Sequence, residues 1–129
     1  MTVTANDLVA AAHRDIHQVS ALELSGLARD QYVLIDVREP EEYAAGHLPG
    51  SINLPRGVLE FRIEAHPALA CRASPELSDR DRPLVLYCLT GGRSALAADS
   101  LQKLGFSQVK SLAGGIAAWR DAGLHLTHE

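Results

Sequence analysis

Lysine is scarce in this chain: Lys103 and Lys110 are the only two among 129 residues, and the formal net charge is -4. A surface that tracks nucleic-acid phosphates needs clustered Lys and Arg, so no nucleic-acid partner is expected. Cysteine is scarce as well. Cys71 and Cys88 are the whole complement, and neither belongs to a CxxC pair. That is too few for a disulfide framework, and no Cys/His cluster has zinc spacing. The histidines (His13, His17, His47, His66, His125 and His128) are dispersed, and no metal is expected. Long apolar runs are also missing. No segment reaches membrane-span length, and the opening MTVTANDLVAAAHRD has neither a basic leader nor a long apolar core. No membrane association and no secretory signal are therefore expected, and the expected location is cytoplasmic.

What is present is the composition of a soluble globular protein, 47% hydrophobic and 22% charged. The length suits one compact domain burying roughly two-thirds of its unfolded surface. Along the chain, strand-like and helix-like segments alternate. Residues 6–13 pattern as a short amphipathic helix, with Thr4 and Asp7 in capping-box spacing. HQVS, residues 17–20, is a short strand, and Ser20 with Glu23 opens a second helix over SALELSGLA. YVLIDV, residues 32–37, has no period-2 alternation, as expected of a strand covered on both faces. SINLP, residues 51–55, is a shorter strand, followed by a helix over residues 55–66 with Val58, Leu59, Phe61 and Ile63 as its apolar positions. Residues 66–83 form an irregular connector rich in Pro, Asp and Arg. LVLYC is the next buried strand, RSALAADSLQKLG a helix ending at Gly105, SQVKSLA the last strand, and GGIAAWRDAG a closing helix stopped by Gly123. Five strands alternating with helices predict an α/β fold, with a central, mostly parallel sheet flanked by helices on both faces.

In such sheets ligands bind beyond the carboxyl ends of the strands, where Cys88 ends LVLYC and the chain turns into a helix. Gly91 and Gly92 open backbone conformations that let several N–H groups point inward as an anion-binding nest. The helix that follows adds the positive end of its dipole. Such surroundings favour a thiolate, and the thiolate is the nucleophile. A buried structural cysteine ending a strand is the alternative on these grounds alone.

CLTGGRS, residues 88–94, resembles the CxxGxRS active-site loop of the rhodanese family of sulfurtransferases. Three more segments are similar to that family and stand in its order: HQVSALELSGLA (17–28), IDVREPEEYAAGHLPGSINLPRG (35–57) and LAGGIAAW (112–119). The resemblance implies a single rhodanese-like domain over residues 17–129, preceded by a helical extension, residues 1–16. It also implies a reaction. Cys88 attacks the sulfane sulfur of thiosulfate or a persulfide donor and holds it as a persulfide, and a thiophilic acceptor such as cyanide, a cellular thiol or a partner protein removes it. The N–H groups of Leu89, Thr90, Gly91, Gly92, Arg93 and Ser94 are expected to stabilise the anions without a cofactor. The Thr90 and Ser94 hydroxyls can add hydrogen bonds, although helix N-capping is the more ordinary role of a serine there.

Arg93 has two readings, an electrostatic aid to the thiolate or a structural ion pair; the second is favoured, because Asp36 ends its strand on the same sheet edge and its carboxylate can hold the guanidinium and fix the loop. The resemblance implies that Arg38 and Glu39 organise the active-site face, while Glu41 and Glu42 read as solvated helix-turn charges. His47 reads as turn support, Trp119 as core, and Arg56 as a weak candidate for steering an anion. Cys71 reads as an incidental thiol rather than a resolving one. Leu89 and Thr90 stand where two-domain thiosulfate enzymes carry basic residues, which implies weak thiosulfate binding. Two other classes compete. An interaction module has little need of an intact cysteine and nest. The related phosphatases and arsenate reductases have five residues between Cys and Arg, whereas four separate Cys88 from Arg93, a ring suited to a single sulfur atom.

Overall fold

The computed structural model describes residues 2–70 and 79–129. Its centre is β4 (Leu84–Tyr87), with β2 (Val33–Asp36) on one side and β5 (Val109–Leu112) on the other. Outside these lie β3 (Ile52–Asn53) and β1 (His17–Val19), giving the order β1-β5-β4-β2-β3. All four strand pairings are parallel. A parallel sheet needs crossover connections, and helices supply them and cover both faces.

Strand alternation divides the core in two. Val33, Ile35, Leu84, Leu86, Cys88 and Val109 face one layer, formed by α1 (Ala5–Asp15), α4 (Leu59–Ile63) and α5 (Gly92–Lys103). Leu34, Val85, Tyr87 and Leu112 face the other, with Leu24 of α2 (Ala21–Ser25) and Ile116 and Trp119 of α6 (Gly115–Asp121). Two buried faces per strand explain why β2 and β4 lack polar alternation. The first helix joins this core through Ala12, with Ile16 buried just beyond its end. No helix among the described residues is long and apolar enough to cross a membrane.

Both expected capping boxes form. Thr4 and Asp7 exchange hydrogen bonds of 2.9 and 3.1 Å, and Ser20 and Glu23 exchange two of 3.1 Å. The donated backbone N–H of Thr4 and of Ser20 draws Asp7 and Glu23 below their ordinary carboxylate values. Gly105 and Gly123 follow α5 and α6 with φ of +98° and +76°, as helix stops.

Three expectations change. The second helix ends at Ser25, because Gly26 turns its N–H back to the Glu23 carbonyl at 3.2 Å. The helix expected over 55–66 is a 3-10 turn, Arg56–Val58, followed by α4, and Val58 at φ -125° separates them. One turn of helix buries only its i and i+4 positions, here Leu59 and Ile63, so Phe61 is 82% exposed. Where only a helix turn is read around Glu41 and Glu42, a five-residue helix, α3 (Pro40–Ala44), follows β2. Proline suits its first turn, and the Glu39 N–H donates to Glu42 Oε1 at 3.0 Å.

Candidate active site

Cys88 is the first residue past β4, on the α5 face, and is 1% exposed. Beyond it the chain reverses through Leu89, Thr90 and Gly91 into α5. Gly91 has φ of +108°, closed to ordinary side chains, and this turns its N–H toward the Cys88 Sγ at 3.1 Å. The Ser94 N–H points to the same sulfur at 3.4 Å. Two of the six expected N–H groups thus reach the sulfur itself. Leu89 and Thr90 lie exposed at the rim, and Gly92 begins α5.

The loop is held from below by α6. Ile116 and Ala117 donate their N–H groups to the carbonyls of Cys88 and Leu89 at 2.9 and 3.1 Å. This close approach depends on Gly115, at φ +61°, where a Cβ would stand 2.5 Å from both carbonyl oxygens. The glycine pair in LAGG is thus the seat of the cysteine loop.

Ser94 does not cap α5. It is the third residue of the helix, and the preceding Gly91 makes no side-chain cap. Its buried hydroxyl lies 3.6 Å from Cys88 Sγ, 3.3 Å from the Gly91 carbonyl and 2.8 Å from the hydroxyl of Ser111 in β5.

The expected Asp36–Arg93 pair is absent. Arg93 donates from both terminal nitrogens to Glu42 Oε1 and Oε2, at 2.7 and 3.0 Å. Those hydrogen bonds hold the Glu42 carboxyl down to about 2 and raise Arg93. Glu42 is therefore not a free solvated charge: it ties α3 to the loop. Asp36 instead takes Arg38. Its Oδ1 accepts the Arg38 N–H at 2.9 Å and Nε at 3.0 Å, and its Oδ2 accepts Nη2 at 2.7 Å. Two reasons favour this outcome. A partner two residues away costs little chain entropy, and Asp36 lies on the same pleat face as Leu34, away from α5. The 0% and 7% exposed pair is completed by Arg38 donating to the Gly46 carbonyl at 2.7 Å. Burial by itself lowers Arg38, but the hydrogen bond and charge of Asp36 outweigh it, so the guanidinium is raised.

Asn53 braces the same turn, donating to the carbonyls of Asp36 and Arg38 at 3.0 and 2.9 Å. His47 is 1% exposed, stacks on Tyr43 at 3.6 Å and meets the Tyr43 carbonyl at 2.8 Å, a turn support as expected. Trp119 packs in the core and donates to the His125 carbonyl at 2.7 Å. Arg56 bonds Glu60 at 3.1 Å and Ser100 at 3.1 Å, so it braces α4 against α5. Cys71 lies outside the described residues.

Three contributors were not picked out from sequence: Glu42, Ser111 and the N–H pair of Ile116 and Ala117. Ser111 had a signal, a lone hydroxyl in register with core-facing Val109.

The rhodanese-like domain model matches residues 20–122. A protein of Allochromatium vinosum named sulfurtransferase is 32% identical over 111 residues, covering 84% of this chain and 92% of that one. A human thiosulfate:glutathione sulfurtransferase is 35% identical over 108 residues, covering 81% and 89%. Among solved structures, a Rhodopseudomonas palustris protein superposes with a TM-score of 0.80 at 31% identity, over 98% of this chain and 96% of that one. That protein is described as of unknown function and a possible tyrosine phosphatase.

Proposed function

This chain belongs to the rhodanese-like domain family, and we propose that it is a sulfurtransferase working through a persulfide on Cys88. The observation that carries the reading is the sulfur at the end of the middle strand, with the Gly91 and Ser94 N–H groups directed at it from 3.1 and 3.4 Å. A nucleophilic sulfur needs its charge stabilised without being consumed, and N–H dipoles fixed by the fold do this with little reorganisation.

In the first half-reaction the Cys88 thiolate attacks the outer sulfur of thiosulfate or a persulfide donor. A new S–S bond forms, the donor's S–S bond breaks, and sulfite or the donor thiolate leaves with the electron pair. In the second, a thiolate or cyanide takes the terminal sulfur and the electron pair returns to Sγ. The cycle is ping-pong and balances with no external redox partner. Relatives named for thiosulfate and glutathione support a small sulfane donor and a thiol acceptor. The neutral rim of Leu89 and Thr90 supports weak thiosulfate binding and leaves a persulfide or protein donor in play. In this reading residues 17–129 are the catalytic domain, residues 1–16 a helical extension, and the location is a thiol-reducing compartment such as the cytoplasm.

The phosphatase description of the similar structure invites a second reading, and two observations weigh against it. Four residues separate Cys88 from Arg93, one fewer than in the related phosphatases. Both terminal nitrogens of Arg93 also bond Glu42, so a carboxylate already occupies the fork that would hold an oxyanion. Intact-mass measurement after thiosulfate, then after cyanide, tests the proposal. One sulfur is expected on Cys88 and then lost, and Cys88→Ser abolishes both the gain and turnover. Sustained turnover by Cys88→Ser overturns it.

A further inference from the structure

Ser111 is a polar side chain where the fold calls for an apolar one. In β5 it shares a face with Val109, under α5, and is 1% exposed. A hydroxyl so placed is unfavourable unless it is hydrogen-bonded. Its side-chain partner is the Ser94 hydroxyl at 2.8 Å.

Counting protons shows what the pair can do. The Ser94 oxygen has three neighbours that can accept its proton, the Ser111 hydroxyl at 2.8 Å, the Gly91 carbonyl at 3.3 Å and the Cys88 sulfur at 3.6 Å, but donation to Ser111 would turn the buried Ser111 proton away from its side-chain partner. The Gly91 carbonyl already accepts the Ala95 N–H at 3.1 Å. When Cys88 is a thiolate, its charge favours the arrangement in which Ser111 donates to Ser94 and Ser94 donates to the sulfur, adding a third donor to the N–H groups of Gly91 and Ser94. A hydroxyl that accepts a hydrogen bond donates a stronger one, so Ser111 strengthens the bond to sulfur without touching it.

We infer that Ser111 is a positioning residue that directs the Ser94 hydroxyl onto the Cys88 sulfur. The inference rests on the sulfur-transfer reading and extends it to both half-reactions. In the first, the relay stabilises the attacking thiolate. In the second, the acceptor attacks the outer sulfur, the bond to Sγ breaks, and the pair returning to Sγ meets the same hydroxyl. No proton need leave the chain of two serines.

The test is the pH dependence of Cys88 alkylation by iodoacetamide, read on the Cys88 peptide, in the full chain. Ser111→Ala is expected to move the curve to higher pH by about half a unit, the size of one modest hydrogen bond. Cyanide removal of the persulfide sulfur should slow about threefold. Ser111→Thr keeps the hydroxyl on a strand-compatible side chain and should restore the curve. In a Ser94→Ala background, Ser111→Ala should move it no further, because the effect runs through Ser94. An unmoved curve in Ser111→Ala overturns the inference. So does a full additional shift in the Ser94→Ala background, and melting temperatures separate either result from misfolding. A moved curve in a protein that accepts no sulfur from either thiosulfate or a small-molecule persulfide would instead sink the sulfur-transfer reading and leave the relay standing.

Discussion

Replacing Glu42 by Gln keeps the shape of the side chain and removes the charge that faces Arg93. The Arg93 fork donates to both carboxylate oxygens, at 2.7 and 3.0 Å, and holds the Glu42 carboxyl at about 2 against an ordinary 4.5. In a dry interior that drop would be worth about 3 kcal/mol. The side chains are 38% and 34% exposed, and solvent screening brings the contribution down to about 1 kcal/mol. For a domain of this size that is about 4 °C in melting temperature at pH 7.

The sign of the pH dependence follows from the lowered value. A carboxyl depressed in the folded state stabilises the fold fully above pH 4.5 and loses that contribution as pH falls toward about 2. Thermal unfolding of the wild type and Glu42→Gln, followed by circular dichroism at pH 7, 5 and 3.5, should show a gap that is constant between pH 7 and 5 and narrower at 3.5. Repeating the pair in an Arg93→Ala background isolates the ion pair, and most of the gap should then be lost at pH 7, the remainder coming from the Glu39 N–H and the charge of Arg38. Equal melting temperatures at pH 7, or a gap undiminished by loss of Arg93, would refute the assignment of Glu42 as the loop's anchor.

Three further outcomes are expected. Gly115→Ala sets a Cβ 2.5 Å from the Cys88 and Leu89 carbonyls at φ +61°, so turnover should fall at least about tenfold and stability by about 2 kcal/mol or more, measured by steady-state assay and urea unfolding. Asp36→Ala leaves the buried Arg38 guanidinium uncompensated and should lower stability by about 3–5 kcal/mol in urea, whereas a surface carboxylate replacement should change it by under about 0.5 kcal/mol. Inserting one glycine between Gly91 and Gly92 moves the Gly91 N–H, now 3.1 Å from Sγ, and should cut thiosulfate turnover at least about tenfold, or roughly 1.4 kcal/mol; unchanged turnover in a folded variant would remove loop length as the discriminator from phosphatases.

The parallel sheet was legible because its evidence is redundant. YVLID and LVLYC lack alternation for one reason only, burial on both faces, and β2 and β4 are buried throughout. The capping boxes at Thr4 and Ser20 are local chemistry within four residues, and they form as read. The helix expected over 55–66 is shorter because Val58, Leu59, Phe61 and Ile63 cannot all be buried by one turn. Phe61 lies on the outer side of a five-residue helix.

Within the site, the cysteine loop was legible for a related reason: the strand end, the two glycines and the helix start are contiguous in sequence, so their geometry is nearly local. The ion pairs were not, because choosing among partners is a question of which face each side chain takes. Asp36 and Arg93 look matched on a list of charges. Period 2 in β2 sends Asp36 to the Leu34 face, and α5 covers the face of Ile35. Applied before any partner was assigned, that parity would have excluded Arg93 and left Arg38, two residues on, as the partner of shortest reach. It would not have found Glu42, 51 residues from Arg93, because that contact depends on α3 packing beside the loop. The same parity applied to β5 puts Ser111 on the face of Val109 and the cysteine. A hydroxyl at a position that burial would assign to valine or alanine is therefore the sequence-level mark that points to Ser94 and the sulfur beside it.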